Sequence, residues 1–456
     1  FAGPGNNGGD AVALARLLVE KQYRVELFTV SLGAAISDDN QTNIERLNPL
    51  NVPITNLTET SSLPELNKFD ALIDGIFGSG LSRAVTQWPA QLIVHMNESR
   101  KPILSIDIPS GLFSEDNSQN TGVVVNAAHT VSFQFPKLAF MLPENETYVG
   151  KWRVQSIGLL PQAIKNEPTR YHYTTIDDLP LLKTRRQFAH KGDFGHALLV
   201  AGSYGKTGAA ILAAKACLRS GAGLLSVHVP ETAYSIIQAE VPEAMVVIDE
   251  TEQLYCAKEA LQKYTCIGAG PGIGLKQSMK EALLHLLNNS QHPVVLDADA
   301  LNIIAAHKSM LKTVPPNSII TPHPKEFDRL THTHETHLQR INSAIDLATQ
   351  HQLVVVLKGA HTAIATPDGN VYFNSSGNPG LAKGGSGDTL AGIMLALLAN
   401  GYTTIEAAKL GVFIHGLAAD LATDTIAIES LLATDVIEHI SNAFVWVKHK
   451  QQELWK

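Results

Sequence analysis

The sequence predicts an α/β protein of two domains, each a three-layer α/β/α arrangement with helices on both faces of a mostly parallel sheet. Short apolar strands alternate with helical segments along most of the chain, which is the pattern of repeated βαβ units. The chain has 456 residues, more than one ordinary domain holds. Its 34 glycines cluster in loops between the predicted elements, as they do in α/β folds that bind phosphates.

The first predicted domain covers residues 1–160. Parallel strands end at one edge of their sheet, and ligands bind there. We therefore expect three polar, glycine-containing turns of this domain to lie together, at 3–10, 74–82 and 107–111. The strands are predicted within 23–30, 69–78, 102–111 and 124–133, with helical spacing at 91–100.

Residues 161–180 are polar, begin and end with proline, and are predicted to be a linker. The second predicted domain covers residues 181–456 and repeats the alternation of strands and helices. A helix rich in small residues is predicted at 208–221, and a glycine-rich loop at 377–388 leads into another. The strands are predicted within 196–203, 223–230, 266–274, 293–301, 317–327 and 353–369.

The bulk composition excludes some classes of function. The net charge is −8 and no block of lysine and arginine is present, which argues against nucleic-acid binding and against a membrane surface. No apolar run reaches the length of a transmembrane helix. Cys217, Cys256 and Cys266 are odd in number and lack metal spacing, so we expect a reducing, cytoplasmic environment.

The stretch GPGNNGGD at residues 3–10 fits the dinucleotide fingerprint G-x-G-x-x-G. A dehydrogenase loop uses bare backbone, whereas Asn6, Asn7 and Asp10 add side chains that can ligate a cation or bind a hydroxyl. No strand is recognisable before Gly3, so we expect the start of this domain to lie outside the sequence. A hydride-transfer site is the alternative interpretation.

Two carboxylates, Asp74 and Asp107, follow apolar strands and precede turns. Each taken alone is as consistent with a turn-capping aspartate as with a functional one. At a shared sheet edge, together with the glycine loop, they favour a site for a hard cation and a sugar or nicotinamide ligand.

The most specific pattern of the second half is GGSGD at residues 384–388, which opens a predicted helix. Its backbone N–H groups and the helix dipole predict an anion-binding site. Asp388 could act there as a base towards a hydroxyl that attacks a phosphoryl group, or it could be a plain N-cap. Lys358 ends another strand and could face an adenylate, and His323 is fixed between two prolines as a candidate ligand-binding residue.

These residues resemble a known pair of families. The second half is similar to the NAD(P)H-hydrate dehydratase family of the ribokinase-like superfamily. The first half is similar to the Rossmann-like NAD(P)H-hydrate epimerase domain through GPGNNGGD, DGIFGSGLSR and DIPSGL. In this order they resemble bifunctional NAD(P)H-hydrate repair enzymes. The dehydratase resemblance runs through HKGDFGHALLVAGS (190–203), GAGPGIG (268–274), LDADALN (296–302), TPHPKEF (321–327), LKGAHT (357–362) and GNPGLAKGGSGDTLAG (377–392).

The resemblance implies that the first domain interconverts the R and S forms of NADH and NADPH hydrated at C6. Asp107 would transfer the proton, and Asn7, Asp74 and Ser110 would hold K⁺. The hydrate would be bound by Asn6, Asn7, Gly8, Gly9, Asp10, Gly78, Ser79, Gly80, Leu81, Ser82, Arg83, Ala84 and Asp107.

The resemblance further implies that the second domain phosphorylates the C6 hydroxyl from ADP, with Mg²⁺, so that phosphate can leave in place of hydroxide. Asp388 would be the base. Ala209, Gly272, His323 and Asp388 would contact the hydrate. The nucleotide would be bound by Lys358, Gly359, Ala360, His361, Thr362, Gly384, Gly385, Ser386 and Gly387.

Four residues depart from the family pattern, namely Ala11, Ala128, Leu381 and Lys383, of which Lys383 could add charge at the phosphates or be solvated. Two alternatives stay open at this point. One is a ribokinase-like kinase for a small molecule, and the other is a non-catalytic binding role for the first domain. The partners expected are the hydrates, ADP and further copies of the chain, with neither nucleic acid nor membrane.

Overall fold

The computed structural model describes residues 1–249 and 261–453. Residues 250–260 and 454–456, and with them Cys256, lie outside the described residues. Within the described residues the chain forms two compact units. The first contains Phe1–Pro168 with Thr336–Leu338, and the second contains Thr169–Glu335 with Gln339–Lys456.

The first unit is an α/β structure with parallel strands. Its helices are α1 (Asn6–Glu20), α2 (Asp38–Leu47), α3 (Gln87–Glu98), α4 (Glu146–Val149) and α5 (Pro161–Asn166). Its strands are β1 (Leu27–Val30), β2 (Ile54–Leu57), β3 (Leu72–Asp74), β4 (Ile103–Ile106), β5 (His129–Phe133) and β6 (Lys151–Gln155). β1 pairs with β2, and β3-β4-β5-β6 form a second ladder, all parallel.

Residues 1–3 join these two ladders through isolated β-bridges at Ala2, a short strand end that the sequence pattern did not predict. Ala2 donates its N–H to Phe28 O (2.9 Å) and accepts from Val30 N–H (2.8 Å). On the other side Gly3 donates its N–H to Gly75 O (3.0 Å), so the chain bridges β1 and β3 in parallel. Three residues are too few to show a period of two, so the sequence pattern could not reveal this strand.

Apolar clusters cover both faces of this sheet. Ala11, Val12 and Ala15 of α1 pack on one face with Leu27 and Ile106. On the other face α3 contributes a buried cluster that the strands complete. Its members at helical spacing are Trp88, Leu92, Ile93 and Met96. The predicted three-layer arrangement of the first domain is confirmed.

The second unit contains a ten-stranded sheet in the order β10-β9-β8-β11-β12-β13-β14-β15-β16-β7. The strands are β7 (Tyr171–Thr174), β8 (His196–Val200), β9 (Leu224–Pro230), β10 (Met245–Asp249), β11 (Cys266–Ala269), β12 (Val294–Leu296), β13 (Ile319–Ile320), β14 (Val354–Leu357), β15 (Ala363–Ala365) and β16 (Val371–Asn374). Only the β14-β15 and β15-β16 pairs are antiparallel among the described pairings. The single strand expected within 353–369 is therefore two strands joined by a turn.

The helices of this unit are α6 (Thr207–Arg219), α7 (Tyr234–Glu240), α8 (Gln277–Asn289), α9 (Asp299–Ala306), α10 (Pro324–Leu330), α11 (His337–His351), α12 (Ser386–Ala399), α13 (Thr404–Ala422) and α14 (Ala433–Glu453). α12 is buried on nearly all sides and packs against α6. A Cβ on Gly392 would lie 2.2 Å from Ala213 O, so only glycine allows this close approach of the two helices. No helix in the described ranges is long and apolar enough to cross a membrane.

The stretch 161–180, expected to be a linker, has secondary structure. It contains α5, and residues 171–174 form β7, which pairs in parallel with β16 at the edge of the second sheet. This strand is short, and three of its four residues are only half-buried. An edge strand of this kind lacks the apolar run that identifies a central strand, so the sequence pattern did not predict β7, and the boundary between the two units lies within this stretch, at Pro168 and Thr169.

Candidate active sites

The glycine loop of the first unit enters α1 at its N-cap, Gly5. A Cβ on Gly8 would lie 1.8 Å from Gly3 O, so the loop closes on itself more tightly than any side chain permits. Asn40 of α2 donates from Nδ2 to Gly3 O (2.8 Å) and to Gly5 O (3.2 Å). Packing therefore fixes the loop from both sides, which places Asn6 and Asn7 at the start of the helix.

Asp74 ends β3 and is fully buried. Its Oδ2 accepts from Ser105 Oγ (2.8 Å) and from Ser110 N–H (2.8 Å), and its Oδ1 accepts from Ser110 Oγ (2.5 Å) and from Ile76 N–H (3.3 Å). Burial raises the pKa of Asp74, and these hydrogen bonds oppose the rise. The predicted neighbours Asp74 and Ser110 are thus in direct contact.

Asn7 joins this group through the backbone of Phe77. Asn7 Nδ2 donates to Phe77 O (2.8 Å), and Phe77 N–H donates to Ser110 Oγ (2.8 Å). Asn7 Oδ1 is buried and has no hydrogen-bond partner among the described residues. Such an oxygen costs about 1–3 kcal/mol if it stays unsatisfied. A hard cation with oxygen ligands would satisfy it, so Asn7, Asp74 and Ser110 fit the implied K⁺.

Asp107 follows β4 and holds a left-handed backbone (φ 64°), which is rare for a residue other than glycine and concentrates at functional sites. Its Oδ1 accepts from Phe133 N–H (3.1 Å) and lies 2.7 Å from Lys137 Nζ. The charge of Asp107 also acts on Asp10 of α1. Burial is the first cause that raises the pKa of Asp10, and the charges of Asp107 and Asp39 are the next. Sequence reasoning missed Lys137, since no motif includes it.

The predicted hydrate-binding turn after β3 is only partly at this site. A Cβ on Gly78 would lie 3.1 Å from Asn7 Cβ, so Gly78 borders the glycine loop. Ser79 O accepts from Ser114 Oγ (2.8 Å), Gly80 faces open space, and Leu81 packs on the core. Ser82 and Arg83 are exposed, and Ala84 backs onto Gly122.

The second site forms at the N-terminus of α12. Its N-cap Gly385 is left-handed (φ 94°), and a Cβ there would lie 2.6 Å from Leu212 Cδ1. A Cβ on Gly387 would lie 3.2 Å from Lys358 Nζ, whereas Gly384 faces open space. Gly384, Gly385 and Gly387 leave the backbone N–H groups at the start of this buried helix uncovered by side chains of their own, and with the nearby lysine they suit phosphate binding.

Lys383, the departure in this loop, donates from Nζ to the backbone oxygen of Glu429. Its ammonium group is therefore held by a carbonyl.

Asp388 lies in the first turn of α12 and faces a buried cluster of charges. Lys358 Nζ donates to Asp297 Oδ1 (2.9 Å) and lies 3.9 Å from Glu326 Oε2. Burial lowers the pKa of Lys358, but the charge of Asp297 and its hydrogen bond outweigh burial and raise it. Burial, the charge of Asp297 and the charge of Asp299 raise the pKa of Asp388 to about 6, against the opposing effect of Lys358.

This pKa predicts the pH dependence of the second site. Only ionised Asp388 can accept a proton, so we expect kcat/KM of the second unit's reaction to fall as pH drops below about 6, roughly tenfold per pH unit. The charge of Asp299 raises this pKa, so Asp299→Asn should move the acid limb to lower pH. A kcat/KM independent of pH between about 5 and about 7, roughly one unit either side of this pKa, would contradict the assignment of Asp388 as the base.

Two residues of the predicted hydrate pocket, Ala209 and Gly272, lie together at the N-terminus of α6. A Cβ on Gly272 (φ 65°) would lie 3.2 Å from Ala209 Cβ and 3.0 Å from Lys206 Cβ. Asp299 Oδ2 accepts from Lys206 Nζ (2.9 Å) and from Gly274 N–H (2.9 Å), which ties this pocket to the start of α9. The acidic residues of LDADALN are the signal that could have identified Asp297 and Asp299 as site residues.

His323 caps α10. Its imidazole Nδ1 accepts from the backbone N–H groups of Lys325 (3.2 Å) and Glu326 (3.4 Å). The backbone N–H of His323 donates to Glu326 Oε2 (2.9 Å). Burial lowers the pKa of His323 and the charge of Glu326 opposes this. Because Glu326 also approaches Lys358, the cap brings His323 to the same cluster.

The predicted nucleotide-binding turn joins β14 to β15. Thr362 Oγ1 donates to Gly359 O (3.0 Å) and closes the turn. Gly359 and Ala360 are exposed, and burial lowers the pKa of His361, whose Nδ1 lies 3.4 Å from Asn374 O. Within the described ranges no three His, Cys, Asp or Glu side chains are grouped as a complete metal site.

Two family models match the chain. The one described as NAD(P)H-hydrate dehydratase matches residues 197–442, and the one described as YjeF-related protein N-terminus matches residues 1–139. Three curated relatives carry the name bifunctional NAD(P)H-hydrate repair enzyme Nnr. They come from Thermofilum pendens (34% identical, covering 97% of this chain and 86% of the relative), Coxiella burnetii (34%, 96% and 88%) and Escherichia coli (32%, 96% and 82%).

Solved structures match the second unit. An ADP/ATP-dependent NAD(P)H-hydrate dehydratase from Bacillus subtilis, co-crystallised with ATP/Mg²⁺, is 35% identical with a TM-score of 0.54 and covers 60% of this chain and 98% of its own. A ribokinase-like superfamily protein from Enterococcus faecalis is 29% identical with a TM-score of 0.55, covering 62% and 98%. The predicted ribokinase-like fold of the second domain is confirmed.

Proposed function

Because the chain belongs to the family of bifunctional NAD(P)H-hydrate repair enzymes, we propose that its first unit interconverts R and S hydrates of NADH and NADPH, and that its second unit dehydrates the S form. It is an isomerase and a lyase in one chain. The observation that supports the second activity is the position of Asp388, a half-buried carboxylate in the first turn of the glycine-rich helix N-terminus, near Lys358.

The dehydratase reaction follows from these residues. Asp388 takes the proton of the C6 hydroxyl, whose oxygen attacks the terminal phosphoryl group of ADP and releases AMP. Phosphate then leaves C6 and a proton leaves C5, which restores the dihydronicotinamide ring. The N–H groups at the start of α12 and the ammonium of Lys358, which would lie 3.2 Å from a Cβ on Gly387, would stabilise the phosphate charge.

We propose ADP as the nucleotide, held by Lys358, the turn Gly359, Ala360, His361 and Thr362, and the loop Gly384, Gly385, Ser386 and Gly387. The hydrate would lie against Ala209, Gly272 and His323. Mg²⁺ is typically held by one or two carboxylates and by substrate phosphates. Asp297 fits this role, because its carboxylate lies beside the start of α12. A Cβ on Gly387 would lie 3.4 Å from Asp297 Oδ2. Bound Mg²⁺ would neutralise phosphate charge during transfer.

In the first unit we propose Asp107 as the proton-transfer group, with the hydrate held by Asn6 to Asp10 and by the turn after β3. Asn7, Asp74 and Ser110 would hold K⁺. The unsatisfied Asn7 Oδ1 supports this proposal, since a bound cation would give this buried oxygen a partner.

Removal of potassium tests this cation site. We expect interconversion of the purified R hydrate to slow when K⁺ is replaced by tetramethylammonium, because the glycine loop loses the ion that links Asn7 to Asp74 and Ser110. Direct chromatography of the two epimers measures the rate without any coupling enzyme. Returning KCl should restore it, and a rate equal in both buffers would argue against a functional cation there.

A mixture of both epimers of NADH hydrate tests the function as a whole. With ADP and Mg²⁺, the full chain should return all of the mixture to NADH, read by dihydronicotinamide absorbance. Recovery of the S fraction alone would show that the first unit is not an epimerase. No recovery with ADP or with ATP would contradict the dehydratase and favour a small-molecule kinase.

A further inference from the structure

We propose that Lys137 is the positioning residue of the epimerase site, orienting the Asp107 carboxylate so that one of its oxygens faces the hydrate. This inference rests on the proposed epimerase function of the first unit. It adds a residue that lies outside the three glycine-containing turns.

The contact between the two side chains is close and shielded from solvent. Lys137 Nζ lies 2.7 Å from Asp107 Oδ1, and the side chains are only 15% and 11% exposed. Nζ also lies 3.4 Å from Phe133 O and 3.5 Å from Phe135 O. A lysine placed among three oxygen acceptors is held in one position, unlike a solvated surface lysine.

The same contacts divide the two carboxylate oxygens of Asp107 into different roles. Oδ1 forms the ion pair with Lys137 Nζ and accepts a hydrogen bond from the backbone N–H of Phe133. The backbone N–H of Asp107 donates to Val131 O (2.8 Å), which fixes the left-handed turn. Across the described part of the chain, no hydrogen bond to Oδ2 is found, so Oδ2 is the oxygen available to a substrate hydroxyl.

The charge of Lys137 also matters because acidic residues surround Asp107. Burial first, and then the charges of Asp107 and Asp39, raise the pKa of Asp10, so Asp10 of α1 and Asp39 of α2 act electrostatically on the same group. Lys137 faces the group from the segment after β5. Without this cation, three acidic side chains would share one field, and the Asp107 carboxylate would lose the ion pair that holds Oδ1 in place.

A set of variants tests the proposal in the full chain. Lys137→Met keeps most of the side-chain packing and removes the charge, Lys137→Arg keeps the charge, and Lys151→Met on β6 removes an exposed lysine as a control. We expect Lys137→Met to lower kcat of R-to-S interconversion by about 10- to 100-fold, less than loss of the base itself. KM should change little, because the loss lies in the orientation of the base, and Lys137→Arg should recover most of kcat.

Dehydration of the S hydrate with ADP, measured on each variant, reports the integrity of the second unit, and circular dichroism reports the fold of the chain. Equal losses of kcat in Lys137→Met and Lys137→Arg would overturn the proposal, as would an unchanged kcat in Lys137→Met. If Lys137→Met fails to fold, the kcat of Lys137→Arg decides, since a positioning role for the cation predicts a near-normal value and a low value would overturn the proposal. A wild-type chain that does not interconvert the hydrates would instead refute the epimerase function itself.

Discussion

Asp388→Asn is expected to lower the rate of S-hydrate dehydration by about 10²- to 10⁴-fold, because it removes the base that accepts the C6 hydroxyl proton. The amide is nearly the same size as the carboxylate, so the packing of α12 should survive. Asp297 and Asp299 repel the carboxylate, and this repulsion disappears in the variant. The chain should therefore stay folded and still bind ADP, which equilibrium titration with the nucleotide can measure.

The first unit supplies the control for this experiment. Asp388→Asn should interconvert the R and S hydrates at the wild-type rate, and Asp107→Asn should show the reverse loss. Each variant then serves as the folding control of the other. If Asp388→Asn dehydrates the S hydrate at more than about a tenth of the wild-type rate, some other group is the base.

Gly8→Ala is expected to abolish most of the epimerase activity, since its Cβ would lie 1.8 Å from Gly3 O and 2.6 Å from Gly3 C. Contacts this short force the backbone to move, and overpacking of a rigid site typically costs about 1–3 kcal/mol. The displaced segment carries Asn7, and with it the proposed potassium ligand. Loss of epimerisation and a lower unfolding temperature of the first unit should appear together.

Gly5→Ala is the matched control within the same loop. No atom lies within 4 Å of its Cβ position, and its φ of −83° suits any residue. We expect this variant to epimerise close to the wild-type rate, and both variants to dehydrate the S hydrate normally. Equal epimerase rates in Gly8→Ala and Gly5→Ala would mean that the loop is not closed in this way in solution.

The sequence predicted those parts of the fold and of the sites that depend on local patterns. The alternation of strands and helices, the loop at 384–388 and Asp388 at its end all appear in short stretches with a direct physical interpretation. Residues 1–3 and β7 were missed, because a strand end of three residues and a half-buried edge strand show no period. Such strands are defined by their neighbours in the sheet.

The charged partners of the sites could not be predicted for a related reason. Lys137 is 30 positions from Asp107 (137 − 107), and nothing near either residue marks the pair. Asp297 stands 61 positions from Lys358 and lies within a quoted motif, yet its role depends on a contact across the sheet. Ion pairs between distant strand ends follow from topology and register, which a single sequence does not contain.

The contact between Gly392 and Ala213 has a mechanical consequence for the second site. Where two helix backbones touch with no side chain between them, neither can rotate or slide without collision. Ala209 lies near the start of α6 and Asp388 near the start of α12. We therefore expect the proposed hydrate-binding wall and the proposed base to keep a fixed position relative to each other. Any closure over bound nucleotide and hydrate is then expected to come from the connecting turns and not from a movement of these two helices.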